Sequence, residues 1–257
     1  MKHGKLLLKL IPLCLLLAAC TTAPVTGRQQ LMLVSESDAM QMGLQAYKEE
    51  MAKVKLSHDP KYVGQVRRVG ERIAKVSGHS EYQWEFNVIG EPKTINAWAL
   101  PGGKVAVYTG LLNLGLSDAE LAAVMAHEVG HAIAQHSRER MSQALGINLG
   151  LGVLGSSGRM SDASLQAVNL ALGIGVGLPF GRKQESEADF IGLDLMAKAG
   201  YDPHAALSFW QKMSQAAGGR KTPELLSTHP SNERRMRDIE AALPRFMPIY
   251  EANKRSS

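Results

Sequence analysis

The chain is 257 residues long, 45% hydrophobic and 21% charged, with a formal net charge of +5. That length and balance suit one large domain with a sizeable core and exclude disorder, a fibrous repeat and a coiled coil. Lys2, Lys5 and Lys9 supply three of the five excess charges. The remaining basic residues are scattered rather than gathered in a stripe, which excludes a nucleic-acid partner.

Residues 1–19 have the layout of an export signal. Met1 to Lys5 carry positive charge, Leu10 to Leu17 are apolar, and small residues precede Cys20. The apolar run is too short, and too broken by Lys9 and Pro12, to span a bilayer. Leu17-Ala18-Ala19-Cys20 resembles a bacterial lipobox, so Cys20 is expected to head the mature chain and carry lipid. Thr21 behind it points to the outer membrane. Cys14 lies in the leader, so the mature chain has no thiol pair for a disulfide and none for a metal.

Residues 20–34 contain Pro24 and Gly27 and read as a tether, 35–250 as one domain, and 251–257 as a tail. A helix is predicted from Ser35 to Lys55, started by a Ser35–Asp38 cap. A second runs from Pro60 to Val76, with Val63, Val66, Val69, Ile73 and Val76 at helical spacing. Between Tyr82 and Tyr108 the period drops to that of strands. Trp84, Phe86 and Val88 alternate, Thr94 to Leu100 is extended, and Pro101-Gly102-Gly103 turns the chain into a strand from Lys104 to Tyr108. An exposed edge at Asn96, Ala97, Trp98 and Ala99 would bind an extended peptide through main-chain hydrogen bonds. A plain core strand is the equal alternative.

Beyond Leu116 the pattern is helical almost throughout, so the fold class is α+β and mainly helical. The glycine-rich apolar stretch from Ala144 to Phe180 reads as two closely packed buried helices, in preference to a membrane-touching lid, because neither half offers an unbroken apolar run. Further helices are predicted at Arg182 to Ala199, Pro203 to Ala217 and Ser231 to Leu243, the last stopped by Pro244.

Ser117-Asp118-Ala119-Glu120 is a capping box that opens the helix carrying His127-Glu128-Val129-Gly130-His131. Histidines four apart lie one turn apart on one face and can share a zinc ion. Glu128 is placed as the base that takes a proton from a zinc-activated water. His136 falls at the end of this helix, where a partly positive ring complements the helix dipole.

Catalytic zinc takes three protein ligands and keeps a position open. Glu185 and Glu187 point to opposite sides of a helix. Glu185 shares an apolar face with Ala188, Gly192 and Leu195, whereas Glu187 shares a face with Asp194 and Lys198 and reads as solvated. A buried carboxylate needs a partner. Glu185 therefore joins His127 and His131 around one Zn2+ per chain, and Asp189 is placed to accept the free N–H of a ligand histidine.

The His-Glu-x-x-His run followed by Glu185-Ser186-Glu187-Ala188-Asp189 resembles the Glu-x-x-x-Asp zinc metallopeptidases, the group of HtpX, the CAAX prenyl protease, the Oma-type proteases, BepA and LoiP. The similarity extends from about Asn96 to His229. It implies a zincin-like fold with a small sheet packed beside the His-Glu-x-x-His helix, and Glu185 as metal ligand. It also implies a role near the metal for His229, as a fourth ligand or an oxyanion donor. Together with the leader it implies a periplasmic endopeptidase, lipid-anchored to the outer membrane, that hydrolyses unfolded or misassembled envelope proteins. A chaperone-like assembly factor with secondary proteolysis is the alternative.

Overall fold

The computed structural model describes residues 20–23, 26–152, 180–218, 223–229 and 233–254. The expected leader, most of the glycine-rich stretch (153–179) and the last tail residues (255–257) lie outside the described residues. In chain order the elements are β1 (Cys20–Thr22), β2 (Gln29–Leu31), α1 (Glu36–Met51), α2 (Pro60–Val76), β3 (Glu85–Ile89), β4 (Ala97–Leu100), β5 (Lys104–Tyr108), α3 (Thr109–Leu112), α4 (Asp118–Ile133), α5 (His136–Gly152), α6 (Arg182–Lys198), α7 (Ala205–Ala217), α8 (Glu224–Thr228) and α9 (Glu233–Asn253). It is a mainly helical fold with small sheets.

The larger sheet has the order β3-β5-β4, with β5 parallel to β3 and antiparallel to β4. Every residue of β5 is buried, as a strand covered on both faces requires. Alternate residues feed two cores. Trp98, Leu100, Ala106 and Tyr108 pack with Tyr47 of α1 on one face. Ala97, Val105 and Val107 join the main core on the other, with Ile73, Leu121, Met125, Met196 and Phe209.

The centre of the main core is α4. Both halves of its capping box form: Ser117 Oγ accepts from Glu120 N–H, and Glu120 Oε2 accepts from Ser117 N–H. Every residue from Glu120 to Ile133 is buried. A helix enclosed on all sides needs small residues where its neighbours come closest. A Cβ on Gly130 would lie 2.8 Å from the Ala188 carbonyl oxygen, and one on Gly192 would lie 3.2 Å from His127 N. These two glycines let α4 and α6 touch through their backbones, and that contact sets Glu185 beside the two histidines.

Three expectations differ from the fold. The tail predicted from residue 251 is still helix as far as Asn253, within α9. The N-terminal segment is not a free tether, because β1 pairs with β2 and the buried Gln30 donates from Nε2 to Ala134 O at 2.9 Å. Three-residue strands carry no readable period. Pro244 does not stop the last helix, and α9 runs through both Pro244 and Pro248. Both prolines are exposed, so water can serve the carbonyls that lose their N–H partners. The stripe of Ile239, Leu243 and Phe246 holds the opposite face in the core. Among the described residues no helix is long and apolar enough to cross a membrane.

Candidate metal centre

His127, His131, Glu185 and His229 converge, each offering one ligand atom, with all four atoms within 4.8 Å of one another. The two helical histidines turn their Nε2 atoms towards each other at 3.1 Å. Glu185 lies 3.5 Å from each of them, through Oε2 to His127 and Oε1 to His131. His229, at the end of α8, brings Nδ1 to 3.2 Å from His127 Nε2 and 3.0 Å from Glu185 Oε1. Its Nε2 lies 3.3 Å from Glu128 Oε1. All five side chains are buried.

The donor set fits a divalent cation. Glu128 Oε1 is buried without a hydrogen-bond partner, and Glu185 Oε2 lacks an aligned donor although Arg235 Nη1 is 2.9 Å away. Glu128, Glu185 and Asp189 bring three carboxylates into one buried volume, where Arg235 pairs with Glu185 and Asp189. A buried polar atom without a partner costs about 1–3 kcal/mol, and a divalent cation among these atoms would satisfy the orphaned oxygens of Glu128 and Glu185.

The buried groups shift one another's protonation. Burial and Arg235 push the His127 ring down, but hydrogen bonds with Asp189 and Glu185 outweigh them and hold it up at about 9. Burial drives His131 well below its usual value, towards the neutral form that ligates metal. Burial opposes ionisation of Glu185, yet His229, His127 and His131 pull its carboxyl far below the usual range. Burial likewise opposes Asp189, and Arg235 and His127 keep it low.

Asp189 Oδ1 lies 2.9 Å from His127 Nδ1, the partner expected for a ligand ring. Arg235 Nη2 is 3.2 Å from the same nitrogen. A proton on Nδ1 suits the contact with ionised Asp189 and leaves Nε2 free for metal. Arg235 also stacks over Trp210, 3.9 Å from the ring centroid. Arg235 is absent from the site that the sequence predicts. Its signal is a charge in register with Ile239, Leu243 and Phe246 on an apolar stripe.

Two assignments are corrected. Glu187 is buried, 3% exposed, because Arg28 of the N-terminal hairpin and His136 of α5 cover it. His136 is fully buried at the start of α5, its ring pushed down by burial in spite of Glu187, and it does not serve as a positive end to α4.

The candidate substrate strand is both core and edge. Ala97 and Trp98 are buried, but β4 ends the sheet. Tyr108 N–H donates to Asn96 O, so antiparallel alternation turns the backbone groups of Ala97 and Ala99 away from β5. Asn96 Oδ1 accepts from Ala97 N–H, and Leu225 N–H of α8 donates to Ile95 O. Among the described residues, no hydrogen bond reaches the outward Ala97 carbonyl or the N–H and carbonyl of Ala99.

A model of peptidase family M48 matches residues 60–243. The chain belongs to peptidase family M48. Peptidases of this family are zinc-dependent, and the four-residue group is placed to hold one zinc ion. The mitochondrial metalloendopeptidase OMA1 of Schizosaccharomyces pombe is 40% identical over 225 residues, covering 86% of the chain and 66% of that relative. The human mitochondrial metalloendopeptidase OMA1 is 32% identical, over 89% of the chain and 47% of its own length. The beta-barrel assembly-enhancing protease of Escherichia coli is 30% identical, over 89% of the chain and 48% of its own length. The chain thus spans about half to two thirds of the length of these relatives. They also overturn the expected location. The M48 relatives with the higher identities are mitochondrial by description, so the lipid-anchored, periplasmic, outer-membrane placement is withdrawn.

Proposed function

We propose that this M48 chain is a zinc-dependent endopeptidase that cleaves extended segments of unfolded or misassembled proteins. The observation that carries the reading is the convergence of His127, His131, Glu185 and His229 within 4.8 Å, with the unpartnered Oε1 of Glu128 beside them. Zinc held by His127, His131 and Glu185 supplies Lewis acidity and brings the pKa of water towards neutrality.

Glu128 moves the protons. Burial raises its carboxyl, which suits a base that takes a proton at Oε1 from the attacking water and returns it to the leaving amine. Asp189 accepts from His127 Nδ1 and so directs Nε2 at the metal. His229 would serve either as a fourth ligand to the metal or as a donor to the oxyanion. The open backbone from Ala97 to Ala99 receives the peptide as an added strand, which gives a grip tolerant of sequence. That free stretch begins beside Ile95, where α8, the helix that leads into His229, is bonded.

The test is Glu128→Gln in the purified protein. It is expected to keep one zinc per chain and to lose casein cleavage. Cleavage undiminished by the substitution ends the reading.

A further inference from the structure

The second ring nitrogen of His131 faces away from the cluster, onto His136, and the two Nδ1 atoms are 2.8 Å apart. His136 turns Nε2 onto Glu187 Oε2, also at 2.8 Å. Arg28 holds Glu187 in turn, with Nε 2.8 Å from Oε1 and Nη2 3.0 Å from Oε2. Thr26 Oγ1 donates to Glu187 Oε1 at 2.6 Å. Arg28 also clamps Glu139 with two bonds of 2.7 Å. His136, Glu187, Arg28, Thr26 and Glu139 have no part in the hydrolysis described above.

The ends of this chain of contacts fix its protons. An ionised carboxylate only accepts, so His136 Nε2 carries the hydrogen and donates to Glu187. A neutral imidazole has one N–H, which leaves His136 Nδ1 as an acceptor. The contact between the two rings then requires the hydrogen on His131 Nδ1. That leaves the His131 Nε2 lone pair free on the side facing His127 Nε2. A single tautomer at each ring satisfies every contact, and it is the tautomer that ligates through Nε2.

We propose that His136 and Glu187 are positioning residues that fix the ring orientation and tautomer of His131 for zinc, with Arg28 of the N-terminal hairpin anchoring the far end. The inference rests on the metal reading above. It makes the two helical ligands equivalent in design. The outer nitrogen of His127 meets a carboxylate locked by Arg235, and that of His131 reaches, through one more ring, a carboxylate locked by Arg28. Partners in this position tune metal affinity by about ten- to a hundredfold.

The experiment measures zinc affinity of the full chain by competition with a chromogenic chelator, together with the visible spectrum of the Co2+-loaded protein. His136→Leu is expected to weaken zinc by about ten- to a hundredfold and to shift the Co2+ bands. His136→Gln offers an acceptor to His131 and a donor to Glu187, so it should restore most of the affinity. Glu187→Gln should weaken zinc about tenfold, at the lower end of that range. Met141→Ala removes a fully buried side chain from the same helix, in a separate cluster with Val34 and Ala39, and controls for lost packing. It should lower the melting temperature and leave both metal readouts unchanged.

Parental affinity and spectrum in His136→Leu overturn the proposal, as does an equal loss in Met141→Ala or the absence of rescue by His136→Gln. If His136→Leu does not fold, the near-isosteric Glu187→Gln decides, and parental affinity there is fatal. A parent protein that binds no zinc defeats the metal reading itself, a result distinct from all of these.

Discussion

Arg235 grips Asp189 with two parallel hydrogen bonds, Nε to Oδ2 at 2.6 Å and Nη2 to Oδ1 at 2.7 Å. The same guanidinium neutralises Glu185 and lies over the Trp210 ring. The C-terminal helix therefore anchors a buried cluster whose other members belong to earlier elements. Arg235→Met keeps the apolar stem and strips the charge from three buried carboxylates. A loss of about 3–5 kcal/mol is expected, the scale for breaking a buried ion pair by removing one partner. Urea unfolding of the metal-free protein measures it, and a midpoint equal to the parent's would mean that Asp189 and Glu185 have other support.

Zinc should stabilise the fold by mass action. At a free concentration a thousandfold above Kd the gain is about 4 kcal/mol. Chelation is therefore expected to lower the melting temperature of the parent by several degrees. Glu185→Gln, which keeps three histidines but has lost the ionised ligand, should respond to chelator much less than the parent. Scanning fluorimetry of the two proteins, each with and without chelator, checks the pair, and a Glu185→Gln variant that responds to zinc as strongly as the parent would remove Glu185 from the ligand set.

Much of this centre was legible in the sequence because its signals are local. The spacing of His127 and His131, the Ser117–Glu120 box and the apolar face around Glu185 all lie within single helices. Glu187 looks solvated from the sequence because helical periodicity reports burial against one packed face only. Its second cover, Arg28 and His136, comes from a hairpin with three-residue strands and from the next helix. His136 was read as the end of α4, but a break at Ala134–Gln135, where Gln135 takes φ 55°, begins a new helix and turns the ring inward. Arg235 was missed for a plainer reason. Nothing in a helix sequence says that a charge on its apolar stripe will meet an acid from elsewhere in the chain.

Acid should unfold the protein from below the usual carboxylate range. Burial opposes ionisation of Glu139, yet Arg28 and Gln184 hold its carboxyl below the ordinary value, and Lys212 and Ser117 do the same for Glu120 against burial. A carboxyl lowered by folding binds more protons when unfolded, so its contribution is complete above the unfolded value of ~4.3 and is lost as pH falls through the folded one. The urea midpoint of the metal-free protein is expected to drop below about pH 4. Arg28→Gln should lower the midpoint at neutral pH and flatten that acid slope, because Glu139 then titrates closer to its unfolded value. A slope unchanged in Arg28→Gln would detach Glu139 from the acid transition.

The open edge of β4 can be tested one hydrogen bond at a time. Ala99 sits opposite Val105 in the register, at a position whose N–H points away from β5. Ala99→Pro deletes that N–H without costing the sheet a ladder bond, and proline is tolerated on edge strands for this reason. Trp98 before it is already extended, as a residue preceding proline prefers. If an extended substrate adds to this edge, the substitution removes one main-chain contact used in binding. It should raise KM for an unfolded protein by about tenfold, the equivalent of ~1.4 kcal/mol for a lost hydrogen bond. Zinc content and melting temperature should stay close to the parent's. Steady-state cleavage of casein, with metal analysis of the same preparations, decides the matter: an unchanged KM in a folded, zinc-loaded Ala99→Pro protein would place the substrate elsewhere on the molecule.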